Sequence, residues 1–315
     1  MVKIGKKIIF IALAALIILV PGGIVVRSIV LKKQIEKRAL SLGIYQPLFK
    51  TEKKAMGFKY NEKKLSYDLV WSDEFNYTGL PDPQKWQFEI GGSGWGNNEL
   101  QFYTAGNNAY VDGEKLIITA RRENAGGREV TSSRIRTAKK GDWLYGKIEV
   151  RAKIPKGLGT WPAIWMLPTD WGYGGWPLSG EIDIMEHVGF DPDVLVTSVH
   201  TEEYNHIKQT HKNKSVKRAG MTDGFHIYSI EWLPDKIKFF FDDELHYTYN
   251  PSTLLNSPTY KEWPFDRRFH LLINLAFGGN WGGLRGVDYD ILPVTFEIDY
   301  VRVYQSPQIN ALIKP

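Results

Sequence analysis

The chain has 315 residues, 43% of them hydrophobic and 13% aromatic, with a formal net charge of +5 and no cysteine. That is enough chain for a large core, and the absence of cysteine excludes disulfides while saying little about compartment. The first 31 residues carry +4 and residues 32–66 carry +7, which leaves −6 from residue 67 onward. The basic residues thus belong to the N-terminal part and not to a domain face, which argues against nucleic-acid binding.

Lys3, Lys6 and Lys7 precede an uncharged run from Ile8 to Val26, broken only by Pro21, Gly22 and Gly23. Its nineteen residues are long enough to cross a bilayer as a helix. A cleavable signal peptide is the competing reading, but no clean small-x-small site follows Gly23. Residues 1–31 are therefore predicted to be an uncleaved signal-anchor, with a signal peptide as the alternative. Lysines and arginines flank the run on both sides, so charge does not fix its orientation. The basic stretch 32–66 is read as a solvated spacer, with attraction to anionic lipid the lesser alternative.

Residues 67–306 hold all eleven tryptophans and are predicted to form one domain, followed by a short tail at 307–315. Apolar-aromatic stretches recur in chain order at 67–71, 115–120, 146–154, 194–200, 225–232, 236–242, 270–277 and 294–304. Gly- and Asn-rich turns separate them, and helical periodicity is nearly absent. Many short strands of this kind predict an all-β, two-sheet sandwich.

The stretch of greatest chemical interest is Gly-Glu-Ile-Asp-Ile-Met-Glu-His-Val-Gly, residues 180–189. Three carboxylates, Glu181, Asp183 and Glu186, lie within six positions. As a strand, the segment places Glu181 and Asp183 on one face and Ile182 and Ile184 in a core. Strict alternation would also drive Glu186 into that core, where a lone carboxylate costs several kcal/mol. A β-bulge at Ile184–Met185 would reset the phase and return Glu186 to the face of Glu181. Two glutamates converging across a sugar ring suit retaining glycoside hydrolysis. A charged edge strand facing solvent is the competing reading. Trp161 and Trp165 before the segment, and Trp281 after it, argue for a carbohydrate cleft.

Glu-Ile-Asp-Ile-Met-Glu resembles the catalytic signature of glycoside hydrolase family 16, in its laminarinase-like, bulge-containing branch. The resemblance extends over about residues 69–305. It implies a jelly-roll sandwich, similar to concanavalin A, with a concave sheet bearing the substrate cleft. It further implies a retaining endo-glycosidase acting on β-glucan, most readily a β-1,3-linked one, with no cofactor for catalysis. In that reading Glu181 is the nucleophile, Glu186 the acid and then the base, and Asp183 orients and tunes Glu181. A transglycosylase with the same residues remains open, as do a mixed-linkage glucan or sulfated galactan as substrate. A non-catalytic glucan-binding receptor on the same scaffold is disfavoured, because all three acids are present.

Other positions follow from the resemblance. Gly94 to Gln101 resembles the loop at the donor side of the cleft, with Trp95, Asn98, Glu99 and Gln101 as sugar contacts. Trp161 and Trp165, four apart on a strand, share a face and are expected to line the cleft. His200 matches a histidine near the acid/base, Asn274 an asparagine on a cleft strand, and Trp281 a loop tryptophan. Gly282 stands where the family often has proline, which leaves that loop's contacts less defined. The arginines of residues 121–136 are read as a solvated charge run, and residues 202–219 as a loop. A calcium ion on the convex face is also implied, with ligands from Glu74, Gly113 and Asp299; an all-oxygen set suits Ca²⁺. Polysaccharide substrates lie outside the cell. The expected location is therefore an extracytoplasmic domain on a membrane anchor, or a secreted enzyme if the N-terminal segment is cleaved.

Overall fold

The computed structural model describes residues 59–313. The expected signal-anchor and most of the expected spacer lie outside these residues. Among the described residues, no helix is long and apolar enough to cross a membrane.

Two antiparallel-dominated sheets of eight and eleven strands pack into the expected all-β sandwich among the described residues. The smaller sheet carries the cleft, and we number its strands in chain order. They are β1 (Gln87–Phe88), β2 (Arg134–Arg136), β3 (Asp142–Trp143), β4 (Thr160–Pro168), β5 (Glu181–Glu186), β6 (Val194–His200), β7 (Lys212–Lys217) and β8 (Phe269–Phe277). Their spatial order is β7-β6-β5-β4-β8-β2-β1, with β3 also pairing with β8. The carboxylate-bearing strand β5 therefore lies inside the sheet, between β4 and β6. Lys212–Lys217 forms the outer strand of this sheet, correcting its reading as part of a loop.

Strand side chains alternate between faces, and the apolar set of each sheet meets in one core. Ile182, Ile184 and Met185 from β5 share that core with Tyr228, Ile230, Trp232, Phe239, Phe296 and Val301 of the larger sheet. Each such side chain, fully buried, contributes about 1.5–3 kcal/mol. The opposite face of the cleft sheet is left free to carry polar and aromatic groups.

Residues 59–66 are not a free spacer. Tyr60 bonds to Asp235, Glu62 accepts from Lys236 at 2.8 Å, and Tyr67 donates to Glu231 at 2.7 Å. Since Ile230 and Trp232 point into the core, Glu231 faces outward, so this strap lies on the outer face of the larger sheet. The expected tail is likewise packed. Pro307–Ile313 forms a short helix that buries Ile309, and Gln308 accepts from the Ser66 backbone at 3.1 Å.

The expected calcium ligands do not form a free cage. Arg302 holds both oxygens of Glu74, at 3.0 and 2.7 Å, and Arg151 pairs with Asp299. Gly113 sits in the tight turn between Ala109–Asp112 and Leu116–Ala125, with φ +105°. Among the described residues, no group of three acidic or histidine side chains is arranged to hold a metal. The carboxylates already have guanidinium partners, so as arranged the set does not fit a calcium ion.

Candidate active site

The register of β5 shows how three acids reach one face. Against β4, Met185 opposes Ile164 and Asp183 opposes Trp165, so Ile184 is an extra residue. Against β6, Asp183 opposes Ser198 and Glu186 opposes Val196, and the same irregularity appears. Ile184 and Met185 are both buried, which is what a bulge at that step produces. Beyond it the phase is restored, and Glu181, Asp183 and Glu186 all line one cavity of about 830 Å³.

Hydrogen bonds fix each acid. Trp176 Nε1 donates to Glu181 Oε2, and Asp183 hydrogen-bonds to Glu181. His200, directly opposite Glu181 on β6, brings its Nε2 to 3.3 Å from Asp183 Oδ2. Trp161 Nε1 donates to Glu186 Oε1 at 3.2 Å. Burial pushes the Asp183 carboxyl well above the usual aspartate range, and the neighbouring Glu181 charge pushes it further. Burial likewise raises Glu186 well above the glutamate range, reinforced by Asp183; the bond from Trp161 opposes the rise.

Among the expected contacts, Trp95, Trp161, Trp165, His200 and Trp281 line the same cavity. Gly282 packs beneath this wall, since a Cβ there would meet the Trp161 Cβ at 2.9 Å. A larger residue at that position would displace the indole. The loop containing Trp281 forms a single helical turn, Gly279–Gly282, and Asn98 donates to Asn280 at 2.8 Å across to it.

Four expected sugar contacts are placed elsewhere. Asn98 joins two loops. Glu99, Gln101 and Asn274 are buried behind the cavity wall. There they form a relay: Gln101 Nε2 donates to Glu99 Oε2 at 2.6 Å, Tyr103 donates to the same oxygen at 3.0 Å, and Asn274 donates to Tyr103 at 3.1 Å. The relay ends where Trp165 Nε1 donates to Asn274 Oδ1 at 2.7 Å. Within the network Gln101 is bonded through both its amide nitrogen and its amide oxygen, the latter accepting from the Phe277 backbone at 2.8 Å, and Asn274 through both ends of its amide. These residues hold Trp165 and do not themselves face the cavity.

Several lining residues escaped the sequence reading, among them Trp176, Arg134, His206 and His211. Arg134 is nearly buried, with its guanidinium 4.7 Å from the Trp95 ring centroid and 4.6 Å from that of Trp165. Glu89 pairs with both Arg134 and Arg136. A signal for this existed: Ile135 in the core forces its two neighbours onto the cleft face. No comparable local signal marks Trp176, which reaches Glu181 from a turn five residues upstream.

Residues 96–302 match the family model described as glycosyl hydrolases family 16. The chain belongs to glycosyl hydrolase family 16. It is 51% identical over 256 residues to a β-glucanase of Rhodothermus marinus, covering 79% of this chain and 89% of that protein. A glucan endo-1,3-β-glucosidase of Cryptopygus antarcticus is 39% identical, over 74% of this chain and 90% of its own length. Among solved structures, the Rhodothermus marinus laminarinase superposes with a TM-score of 0.75 at 51% identity. The match covers 77% of this chain and 99% of that one. The structural likeness agrees with the β-sandwich.

Proposed function

We infer that this family 16 enzyme cleaves β-1,3-linked glucan internally, with retention of anomeric configuration. The observation that carries this reading is the β5 bulge, which sets Glu181, Asp183 and Glu186 together in a tryptophan-lined cavity. Flat apolar rings suit the C–H faces of pyranoses, and the carboxyls supply the chemistry. The named relatives are β-1,3-glucanases and β-glucanases, which supports the substrate class.

In this mechanism Glu181 attacks the anomeric carbon while Glu186 gives its proton to the glycosidic oxygen, and the C–O bond breaks toward the leaving sugar. Glu186 begins the cycle protonated, as its raised pKa requires. Asp183, kept protonated by burial and by the charge of Glu181, holds the nucleophile by a hydrogen bond. Once Glu181 is esterified its charge is gone, and Glu186 becomes a stronger acid, so it ends the first step as a carboxylate. That carboxylate takes a proton from water, the water oxygen attacks the anomeric carbon, and Glu181 departs. Two carboxyl groups and water balance the reaction, and no cofactor is needed.

Glu181→Gln tests the assignment. It should abolish release of reducing ends from laminarin while leaving laminarin binding intact. Appreciable residual turnover would remove Glu181 from the nucleophile's role, and an α-anomer formed first would exclude retention. An extracytoplasmic location, with the N-terminal segment retained or cleaved, follows from a polymer too large to enter a cell; protease treatment of intact cells tests it.

A further inference from the structure

One rim of the cleft is assembled from three segments that meet at a single indole. Phe190 and Trp281 pack against a small cluster of Trp161, Val188 and Ala276, separate from the core between the two sheets. Val188 and Phe190 belong to the turn 187–193 that joins β5 to β6, Trp281 to the loop that follows β8, and Trp161 to β4. Of these side chains, Trp161 is the one bonded to a catalytic carboxyl, Glu186.

The backbone of this rim is tied down on both sides. The Gly189 N–H donates to the Thr160 carbonyl at 2.9 Å and the His187 N–H to that of Pro162 at 3.3 Å, so the turn lies along the start of β4. A side chain at Gly189 would collide with the Gly157 carbonyl, and glycine is what lets the two segments approach so closely. The buried His187 ring donates through Nδ1 to the Val194 carbonyl at 2.9 Å and closes the turn. From the other side, Gly278 donates to Gly159 at 2.7 Å and Asp288 to Leu158 at 2.9 Å, which brings the loop after β8 against the same stretch. With both backbones fixed, the side chains between them decide how the Trp161 indole sits.

Phe190 is the half-buried member of the turn in that packing, and the guanidinium of the exposed Arg285 lies 4.8 Å from its ring centroid. Arg285 comes from the loop after β8, so the pair joins the two loops. An indole turns about two side-chain bonds, and its Nε1 reaches Glu186 only in the orientation its neighbours allow. Neither Phe190 nor Arg285 is among the residues lining the cavity, so neither is placed to touch a sugar.

We propose that Phe190, capped by Arg285, is a positioning residue for the acid/base: it holds the Trp161 indole with its N–H on Glu186. This rests on Glu186 being the acid/base of the glucanase reading. A cation over a ring at an exposed site is a modest interaction, so the ring of Phe190 carries the larger share and Arg285 the smaller. Burial, Asp183 and Glu181 favour the protonated form of Glu186, while His200 on β6 and the Trp161 bond oppose them. In the turn itself, Asp191 and Asp193 act on His187. All these charged groups stay in place when Phe190 is changed, so a displaced indole is read directly in the proton affinity of Glu186.

Phe190→Ala and Arg285→Gln in the full chain provide the test, with Phe190→Tyr as the conservative variant. The kcat/KM for laminarin is measured against pH. The Trp161 Nε1–H resonance, identified by its loss in Trp161→Phe, is followed against pH by NMR without substrate. Losing a bond that favours the carboxylate makes Glu186 hold its proton to higher pH. The alkaline limb should therefore move up by roughly half a pH unit in Phe190→Ala, about a threefold gain in kcat/KM relative to its own plateau at a fixed pH on that limb. Arg285→Gln should shift it in the same direction by less, the indole titration should move in step, and Phe190→Tyr should restore both. With Trp161→Phe already present, Phe190→Ala should leave the limb where Trp161→Phe alone puts it.

An equal loss of kcat/KM at every pH, with limb and resonance unmoved, would make Phe190 an ordinary packing residue and overturns the proposal. So does a downward move, which would mean that the ring excludes water from Glu186, and so does a further shift in the double variant. Phe190 lies outside the core between the sheets and Arg285 is exposed, so Arg285→Gln carries the test even if Phe190→Ala does not fold. If Glu186→Gln keeps the activity, the acid/base reading itself falls. If Glu186→Gln is inactive and the limb in Phe190→Ala stays in place, the positioning alone falls.

Discussion

The indole Nε1 of Trp161 donates to Glu186 Oε1 at 3.2 Å, and the same indole stands edge-on to Trp281, with ring centroids 5.5 Å apart. One side chain thus both builds the cleft wall and tunes the acid/base. A hydrogen bond to a carboxylate favours its charged form, so Trp161 holds back a rise caused by burial and by Asp183.

Trp161→Phe keeps a ring but removes the donor. Glu186 must be protonated in the free enzyme, so activity is present below its pKa and lost as pH rises through it. Since that pKa is raised, the alkaline limb of kcat/KM should lie above the ordinary glutamate value of 4.5. In Trp161→Phe the limb should move to still higher pH. A pH–rate profile of both proteins checks this, and a downward move would contradict it.

Asp183→Asn should trade activity for stability. The folded-state pKa of Asp183 is raised, so its stabilising contribution is complete below the unfolded value, about 3.8, and declines as pH rises toward the folded value. At neutral pH the carboxyl therefore destabilises the fold relative to a neutral isostere. The amide should raise stability by about 1 kcal/mol at pH 7 and leave it little changed at pH 3. Turnover should drop roughly 10²-fold as the bond that positions Glu181 is altered. Melting curves at the two pH values and steady-state kinetics measure both effects.

Tyr103→Phe cuts the relay behind Trp165 in its middle. Glu99 loses a donor and Asn274 loses an acceptor, both within the buried region. The cost should be about 1–3 kcal/mol of stability, read from denaturant unfolding. KM should rise while kcat changes less, because the chemical groups on β5 are untouched.

Arg134→Lys keeps the charge but loses the planar group that lies against two indoles. Glu89 retains Arg136, so the fold should survive. Affinity for laminarin should weaken by roughly tenfold, measured by calorimetry on the inactive Glu181→Gln background.

How far the sequence could be read depended on how local the determining contacts were. The bulge in β5 was predictable because its cause is local: alternation would bury Glu186, and one extra apolar residue prevents it. The many short strands were legible for the same reason. Asn274, Glu99 and Gln101 were expected as sugar ligands because the family resemblance implied it, for Asn274 on a cleft strand and for the other two in a donor-side loop. Their actual partners, Trp165, Tyr103 and the Phe277 backbone, come from other segments, and only the folded chain brings them together. Arg134 was hidden by its neighbours: within 121–136 most arginines are partly or fully exposed, and the one held between indoles carries no different composition. Glu74 and Asp299 failed as metal ligands through arginines at positions 302 and 151, which spacing does not pair with them.

The strap formed by Tyr60, Glu62 and Tyr67 gives the molecule a handle on its back. It grips the outer face of the larger sheet through Asp235, Lys236 and Glu231, while the cleft opens on the other sheet. The contacts of the strap and those of the three acids on β5 share no residue. Loosening the strap would therefore expose the back of the larger sheet and leave the cutting edge of the cleft as it is.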